Sequence, residues 1–146
     1  MIIYTIGFTK KSAEQFFEII KSNKIQLLID VRLNNKSQLA GFSKGNDLRY
    51  FLKKICNTQY IHCVEFAPTQ ELLSAYQKKK ISWGQYVEQF NMDLELRGDY
   101  LNFPERFKQY DRVCLLCSEP TAEQCHRRLV AEKIKDKFHD LSVIHL

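Results

Sequence analysis

The feature that most constrains this chain is an alternation of short apolar runs with longer amphipathic stretches. Ile2 to Ile6, Leu27 to Arg32, Tyr60 to Val64, Val113 to Cys117 and Leu141 to Leu146 are each too short for a helix and rich in β-branched or aromatic residues. Between them lie segments with helical spacing. Ser12-Ala-Glu-Gln15 and Ser82-Trp-Gly-Gln85 have capping-box spacing, and Gly98 is placed to close the helix that follows Ser82. Pro68 and Thr69 open a helix that runs to about Lys79, and no strand is expected between Thr69 and Gln109. Strands that alternate with helices predict an α/β fold, a three-layer sandwich in which a mostly parallel five-stranded sheet carries helices on both faces. The expected strand order is 3-2-1-4-5, with the switch point between the first and fourth strands.

The 146 residues fit a single domain, 1–146, able to bury about two thirds of the unfolded surface. A net charge of +5 and a pI of ≈ 8.9 favour encounters with phosphate-bearing partners, without the concentrated charge of a dedicated nucleic-acid binder. Five cysteines, an odd number, with some in apolar strand or helix segments, point to reduced thiols in a cytoplasmic protein rather than a secreted disulfide framework. The first residues lack the pattern of a signal peptide, and no apolar run reaches the ~18 residues of a membrane span.

The chemistry-bearing residues cluster in Arg112-Val-Cys-Leu-Leu-Cys-Ser-Glu-Pro-Thr-Ala-Glu-Gln-Cys-His-Arg-Arg128. Side chains alternate across a strand, so Cys114 and Cys117 face opposite sides and cannot act as a CxxC pair. That reads Cys114 as packing and leaves Cys117 at the strand end, beside the turn. Thr121 to Gln124 has capping-box spacing, which would put Cys125 and His126 in the first two turns of the next helix on its sheet-facing side, with Arg127 and Arg128 flanking. A thiol at a helix start is biased towards thiolate, and a nearby imidazole can exchange protons with it or with a ligand.

Asp30 and Arg32 share a face at the end of the second strand, where they either neutralise each other or border the ligand site, Asp30 as a base or its orienter and Arg32 as an anion holder. The polar loop from Leu33 to Asn46 reads as a lid or substrate-contacting element through Lys36, Phe42 and Lys44. Asn46 or Asp47 can cap the helix after it, with Leu48, Phe51, Leu52 and Ile55 on its buried stripe. Trp83 and Tyr86 read as core rather than as a base-stacking platform. Thr5, Gly7, Asp30, Arg32, Cys117, Glu119, Cys125 and His126 are expected to converge beyond the strand carboxyl ends.

No Walker loop or GxGxxG is present, and position 123, six after Cys117, is Glu, so the Cx5R phosphatase loop is excluded. Zinc is a minor alternative: Cys117, Cys125 and His126 are suitable ligands, with His145 or His62 as a fourth, but the spacing matches no standard signature and no cofactor is expected.

These residues resemble the family catalogued as domain of unknown function 488. The resemblance rests on Tyr4-Thr-Ile-Gly7, Asp30-Val-Arg32, Gly41-Phe42, Leu115-Leu-Cys-Ser-Glu119, Cys125-His-Arg127 and His145-Leu146, in that order along the chain. It implies that Thr5, Gly7, Asp30, Arg32, Cys117, Glu119, Cys125, His126 and Arg127 occupy the family's characteristic positions, and it implies no reaction. The chain departs from the family pattern at Phe8-Thr9-Lys10, where His, Ser and a basic residue are common, and at Asn34 to Ser37.

The combined expectation is an enzyme acting on a phosphate-bearing substrate, a nucleotide or nucleic acid. Cys117 or Cys125 would be the nucleophile and His126 the acid/base, with Asp30 and Glu119 as further catalytic candidates. Thr5, Gly7, Arg32, Phe42 and Arg127 would bind substrate. The alternatives are a non-catalytic nucleotide- or nucleic-acid-binding module and a zinc-site protein.

Overall fold

In a computed structural model that describes residues 1–36 and 41–146, five parallel strands form one sheet: β1 (Ile2–Gly7), β2 (Leu27–Asp30), β3 (Gln59–His62), β4 (Arg112–Cys117) and β5 (Ser142–His145). Among the described residues six α-helices accompany them: α1 (Ala13–Ser22), α2 (Gly45–Phe51), α3 (Gln70–Gln77), α4 (Trp83–Arg97), α5 (Phe103–Arg106) and α6 (His126–Lys137). Residues 37–40, which include Ser37 of the polar loop, lie outside the described residues.

The α/β class is as the alternation predicts, but the strand order is β3-β2-β4-β1-β5, not 3-2-1-4-5. The β1–α1–β2 crossover spans two strand widths, and β4 fills the place between. β4 is therefore bonded on both edges, which suits its uninterrupted apolar run. Gly7 lies opposite Cys117, and Asp30 opposite Leu116.

Each face of the sheet has its own core. On one side Phe16, Phe17 and Ile20 of α1 and Leu48 of α2 pack on Tyr4, Ile6, Leu28, Cys114 and Leu116. On the other, Phe90 and Leu94 of α4 and Leu129, Val130 and Ile134 of α6 cover Ile3, Leu27, Ile29, Val113 and Leu115. Cys114 thus belongs to the α1 face, while Cys117, an odd number of residues on, belongs to the α6 face.

The caps differ in outcome. Ser12 and Ser82 form their capping boxes, Thr69 accepts from the Leu72 amide, and Gly98 closes α4 at φ +71°. α2 instead starts at Gly45 behind Lys44 without a side-chain cap, and a π-type turn, Leu52–Cys56, continues it. That wider turn shifts the helical register, so Ile55 faces solvent and Cys56 turns inward, its thiol donating to the Phe17 carbonyl at 3.5 Å. The Thr121–Gln124 box does not form. Residues 118–124 make an irregular loop, and α6 begins only at His126 with Cys125 as its N-cap.

Candidate active site

The strands that end at the site are neighbours: β2, β4 and β1. In the expected order β1 and β4 exchange places, yet the same three strands remain contiguous, and part of the expected convergence on Cys117 is present. The loops after β1 and β4 are tied together by the Thr9 amide, which donates to the Ser118 carbonyl at 3.1 Å. Gly7 is required beneath this junction, since a Cβ there would lie 1.6 Å from the Glu119 carbonyl oxygen. That same carbonyl accepts from Arg127 Nη1 at 2.7 Å.

Cys117, Cys125 and His126 are all buried, and their sulfurs and a ring nitrogen lie within 4.8 Å of one another. The His126 ring is clamped: Nε2 is 2.8 Å from the Val31 carbonyl oxygen, and Phe90 packs edge-on at 5.7 Å between ring centroids. A carbonyl can only accept, so Nε2 carries a proton, and in the neutral ring Nδ1 is left with its lone pair free. Nδ1 is the atom that faces Cys117 Sγ, at 3.6 Å.

The two thiols are electrostatically distinct. Cys117 is held below the usual thiol range, first by a hydrogen bond from the Cys125 thiol. The Glu119 and Ser118 amides and the Arg127 charge add to this against the opposing effect of burial. Cys125 is pushed up by the same bond and by burial, and Cys114 by burial. Thiolate character therefore concentrates on Cys117.

Asp30 and Arg32 point the same way, as strand alternation requires. Arg32 Nε and Nη2 donate to the two Asp30 carboxylate oxygens at 2.8 and 2.7 Å, and Nη2 also donates to the Ser43 carbonyl at 2.7 Å. Tyr60 Oη donates to Asp30 Oδ2 at 2.7 Å. The carboxylate is fully buried and engaged from three sides by Arg32 and Tyr60. Arg32 keeps Nη1 without a hydrogen-bond partner among the described residues, and its guanidinium lies over the Phe8 ring at 5.1 Å.

A cavity of about 690 Å³ opens over Cys117, Cys125 and His126. Arg32, Asn34, Ser118, Glu119 and Gln124 form its polar side; Leu73, Tyr76, Ile81, Trp83 and Tyr86 form its apolar side. The structure thus brings together Cys117, Cys125, His126, Arg32 and the exposed Glu119 around one cavity. The other candidates lie elsewhere among the described residues. Thr5 Oγ1 is bonded to His145 Nδ1 at 2.7 Å, Phe42 packs on Phe16 and Phe17 of the α1 face, and Gly7 sits under the Glu119 carbonyl. Arg127, expected to flank α6, is fully buried, because the late helix start turns it back under the 118–124 loop. Its Nε and Nη2 have no partner among the described residues. His62 and His145 stand outside the thiol cluster, at the Arg32 carbonyl and at Thr5 respectively.

Sequence reasoning missed several contributors. Val31 acts through its backbone, which no side-chain pattern reveals. Tyr60 reaches Asp30 from the adjacent strand. Trp83 and Tyr86, read as core, also line the cavity with Tyr76; the signal available was three aromatic residues at positions 76, 83 and 86, flanking a helix start.

A family described as "Domain of unknown function DUF488" matches residues 12–134. No curated protein and no solved structure gives a significant match to the chain.

Proposed function

Because the chain belongs to the DUF488 family, a membership that assigns no reaction, we propose from the site itself that the protein is a thiol-dependent enzyme acting on a phosphate-bearing substrate. One observation carries this reading. A buried thiol biased towards thiolate lies 3.6 Å from an imidazole whose tautomer is fixed, on the floor of a cavity that Arg32 also borders.

In the proposed reaction Cys117 gives its proton to His126 Nδ1, and the thiolate attacks an electrophilic carbon or phosphorus of the substrate. A bond to sulfur forms, the bond to the leaving group breaks, and the leaving group takes the proton from His126. Water then yields a proton to Nδ1, its oxygen displaces the thiolate, and Nδ1 returns the proton to Cys117. Arg32, held in place by Asp30 at the border of the cavity, supplies the positive charge for the anionic group. Asp30 is a positioning residue in this scheme, since Arg32 and Tyr60 occupy its oxygens. Arg127 acts on Cys117 through its charge and through the Glu119 carbonyl.

A turnover screen over phosphate esters and nucleotides, with mass spectrometry to trap a covalent adduct, tests this. Cys117→Ala and His126→Ala are expected to abolish both turnover and adduct, while Cys114→Ala leaves them intact. Activity that survives loss of Cys117 would overturn the thiol mechanism. Salt-sensitive ligand binding with no turnover by any variant would identify a binding module instead.

Zinc is a second reading, favoured by one geometric fact. Tetrahedral zinc with bonds of ~2.3 Å to sulfur and ~2.0–2.1 Å to nitrogen holds neighbouring S and N ligands ~3.5–3.6 Å apart. Cys117 Sγ and His126 Nδ1 are 3.6 Å apart, and the other ring nitrogen meets a carbonyl, as ligating histidines usually do. Stoichiometric zinc in the purified protein, lost on Cys125→Ala and shielding Cys117 from alkylation, would favour this reading over the nucleophile.

A further inference from the structure

The cavity has two chemically different halves, and the thiol reaction uses only one. Its polar half holds Cys117, His126 and Arg32. Its other half is a bank of aromatic rings on α3 and α4. Trp83 stacks on Tyr86 with centroids 5.1 Å apart and planes 15° apart, and Tyr76 lies 5.6 and 5.1 Å from the two rings. Tyr76 Oη donates to Gln124 Oε1 at 3.1 Å, which ties the aromatic bank to the loop that follows Cys117.

Pure packing accounts for Tyr86, which is 2% exposed, but not for Trp83. Trp83 is only half-buried, stands in the first turn of α4 behind the Ser82 cap, and turns part of a large apolar ring towards open cavity. The cationic Arg32 on one side and a partly uncovered indole on the other ask for a ligand with an anion at one end and a flat ring at the other. The volume of about 690 Å³ lies within the ~300–1,000 Å³ of small-molecule sites.

We infer that the cavity binds a nucleoside 5′-monophosphate, with its base against Trp83 and its phosphate at Arg32, beside Cys117. This rests on the thiol-enzyme reading for the role of the polar half, and names the substrate class that the aromatic half selects. A single mononucleotide is favoured over a nucleic-acid strand because the aromatic rings form one bank inside one cavity rather than a row of platforms along a basic groove.

The chain contains one tryptophan, so indole fluorescence reports on Trp83 alone. Adenosine and uridine 5′-monophosphates are expected to quench or shift this emission at saturation. Ribose 5-phosphate, which lacks the ring, is expected to bind at least about tenfold more weakly by calorimetry, the scale of one lost base–aromatic stack. Trp83→Leu should weaken nucleotide binding by about tenfold and leave ribose 5-phosphate unaffected, whereas Trp83→Phe should keep nucleotide affinity within a few-fold. Circular dichroism melts of both variants check that the fold is retained. Equal affinity for nucleotide and ribose 5-phosphate, or indifference to Trp83→Leu, would overturn the inference, as would failure of any nucleotide to bind. So would a single-stranded oligonucleotide that binds more than tenfold tighter than the monophosphates. In each case Cys117-dependent turnover and adduct formation decide the thiol reading separately.

Discussion

At Cys117 the sulfur receives a hydrogen bond from Cys125 and amide donors from Ser118 and Glu119, and it sits near the Arg127 charge. A depressed pKa means the thiolate persists as pH falls below the ~8.5 of a free thiol. Iodoacetamide is therefore expected to label Cys117 at pH values where Cys63, whose burial pushes it up to about 12, is silent. Cys125→Ala removes the leading donor, so the Cys117 labelling profile should move to higher pH; peptide mapping after labelling at several pH values reads this directly. An unmoved profile would show that the hydrogen bond from Cys125 does not tune the nucleophile. Gly7 provides a second residue-scale prediction. Because a methyl group at this position would meet the Glu119 oxygen at 1.6 Å, Gly7→Ala must displace the 118–124 loop. A loss of roughly 1–3 kcal/mol, typical of overpacking, is expected by denaturant titration, together with slower Cys117 labelling.

At the scale of elements, α4 places the aromatic half of the cavity and β4 the thiol half. Ser82 Oγ accepts from the Gln85 backbone amide, and the Ser82 backbone amide donates to Gln85 Oε1, next to Trp83. Ser82→Ala should cost about 0.5–2 kcal/mol and alter Trp83 emission, both measurable in one fluorescence-monitored urea titration. Unchanged emission would mean that the cap does not position the indole. This box was legible in the sequence because both its partners are local. The Thr121–Gln124 box was equally regular as a pattern and did not form, since the chain there must first pass over Gly7 and let Arg127 reach the Glu119 carbonyl. Local spacing cannot register that demand. Cys114 and Cys117 were separable from strand alternation alone. The bonds from His126 to the Val31 carbonyl and from Tyr60 to Asp30 were not, because they join strands and helices far apart in the chain.

For the whole molecule, the order β3-β2-β4-β1-β5 makes β4 the middle of the sheet and leaves β3 and β5 as its edges. Leu115 is fully buried on β4 under the α6 face, while Ile144 on β5 is 42% exposed. Leu115→Ala is expected to cost ~2–5 kcal/mol by cavity formation, while Ile144→Ala should stay near ~0.5 kcal/mol. Thermal melts of the two variants separate these outcomes, and comparable losses would argue against the observed order. The sequence pattern specified strands, helices and the parallel class. It could not choose between β1 and β4 for the centre, since both are apolar and both end in small or sulfur-bearing residues at the site.

One residue joins the sheet to the chemistry. The Val31 amide donates to the Leu116 carbonyl at 3.1 Å, continuing the pairing of β2 with β4, and the Val31 carbonyl receives the His126 ring. A one-residue slip of β2 would withdraw that oxygen and free the imidazole to change tautomer. During refolding, the site can then become competent only when β2 has docked in register. Recovery of Cys117 labelling at a pH where an exposed free thiol is silent should keep time with burial of the central sheet.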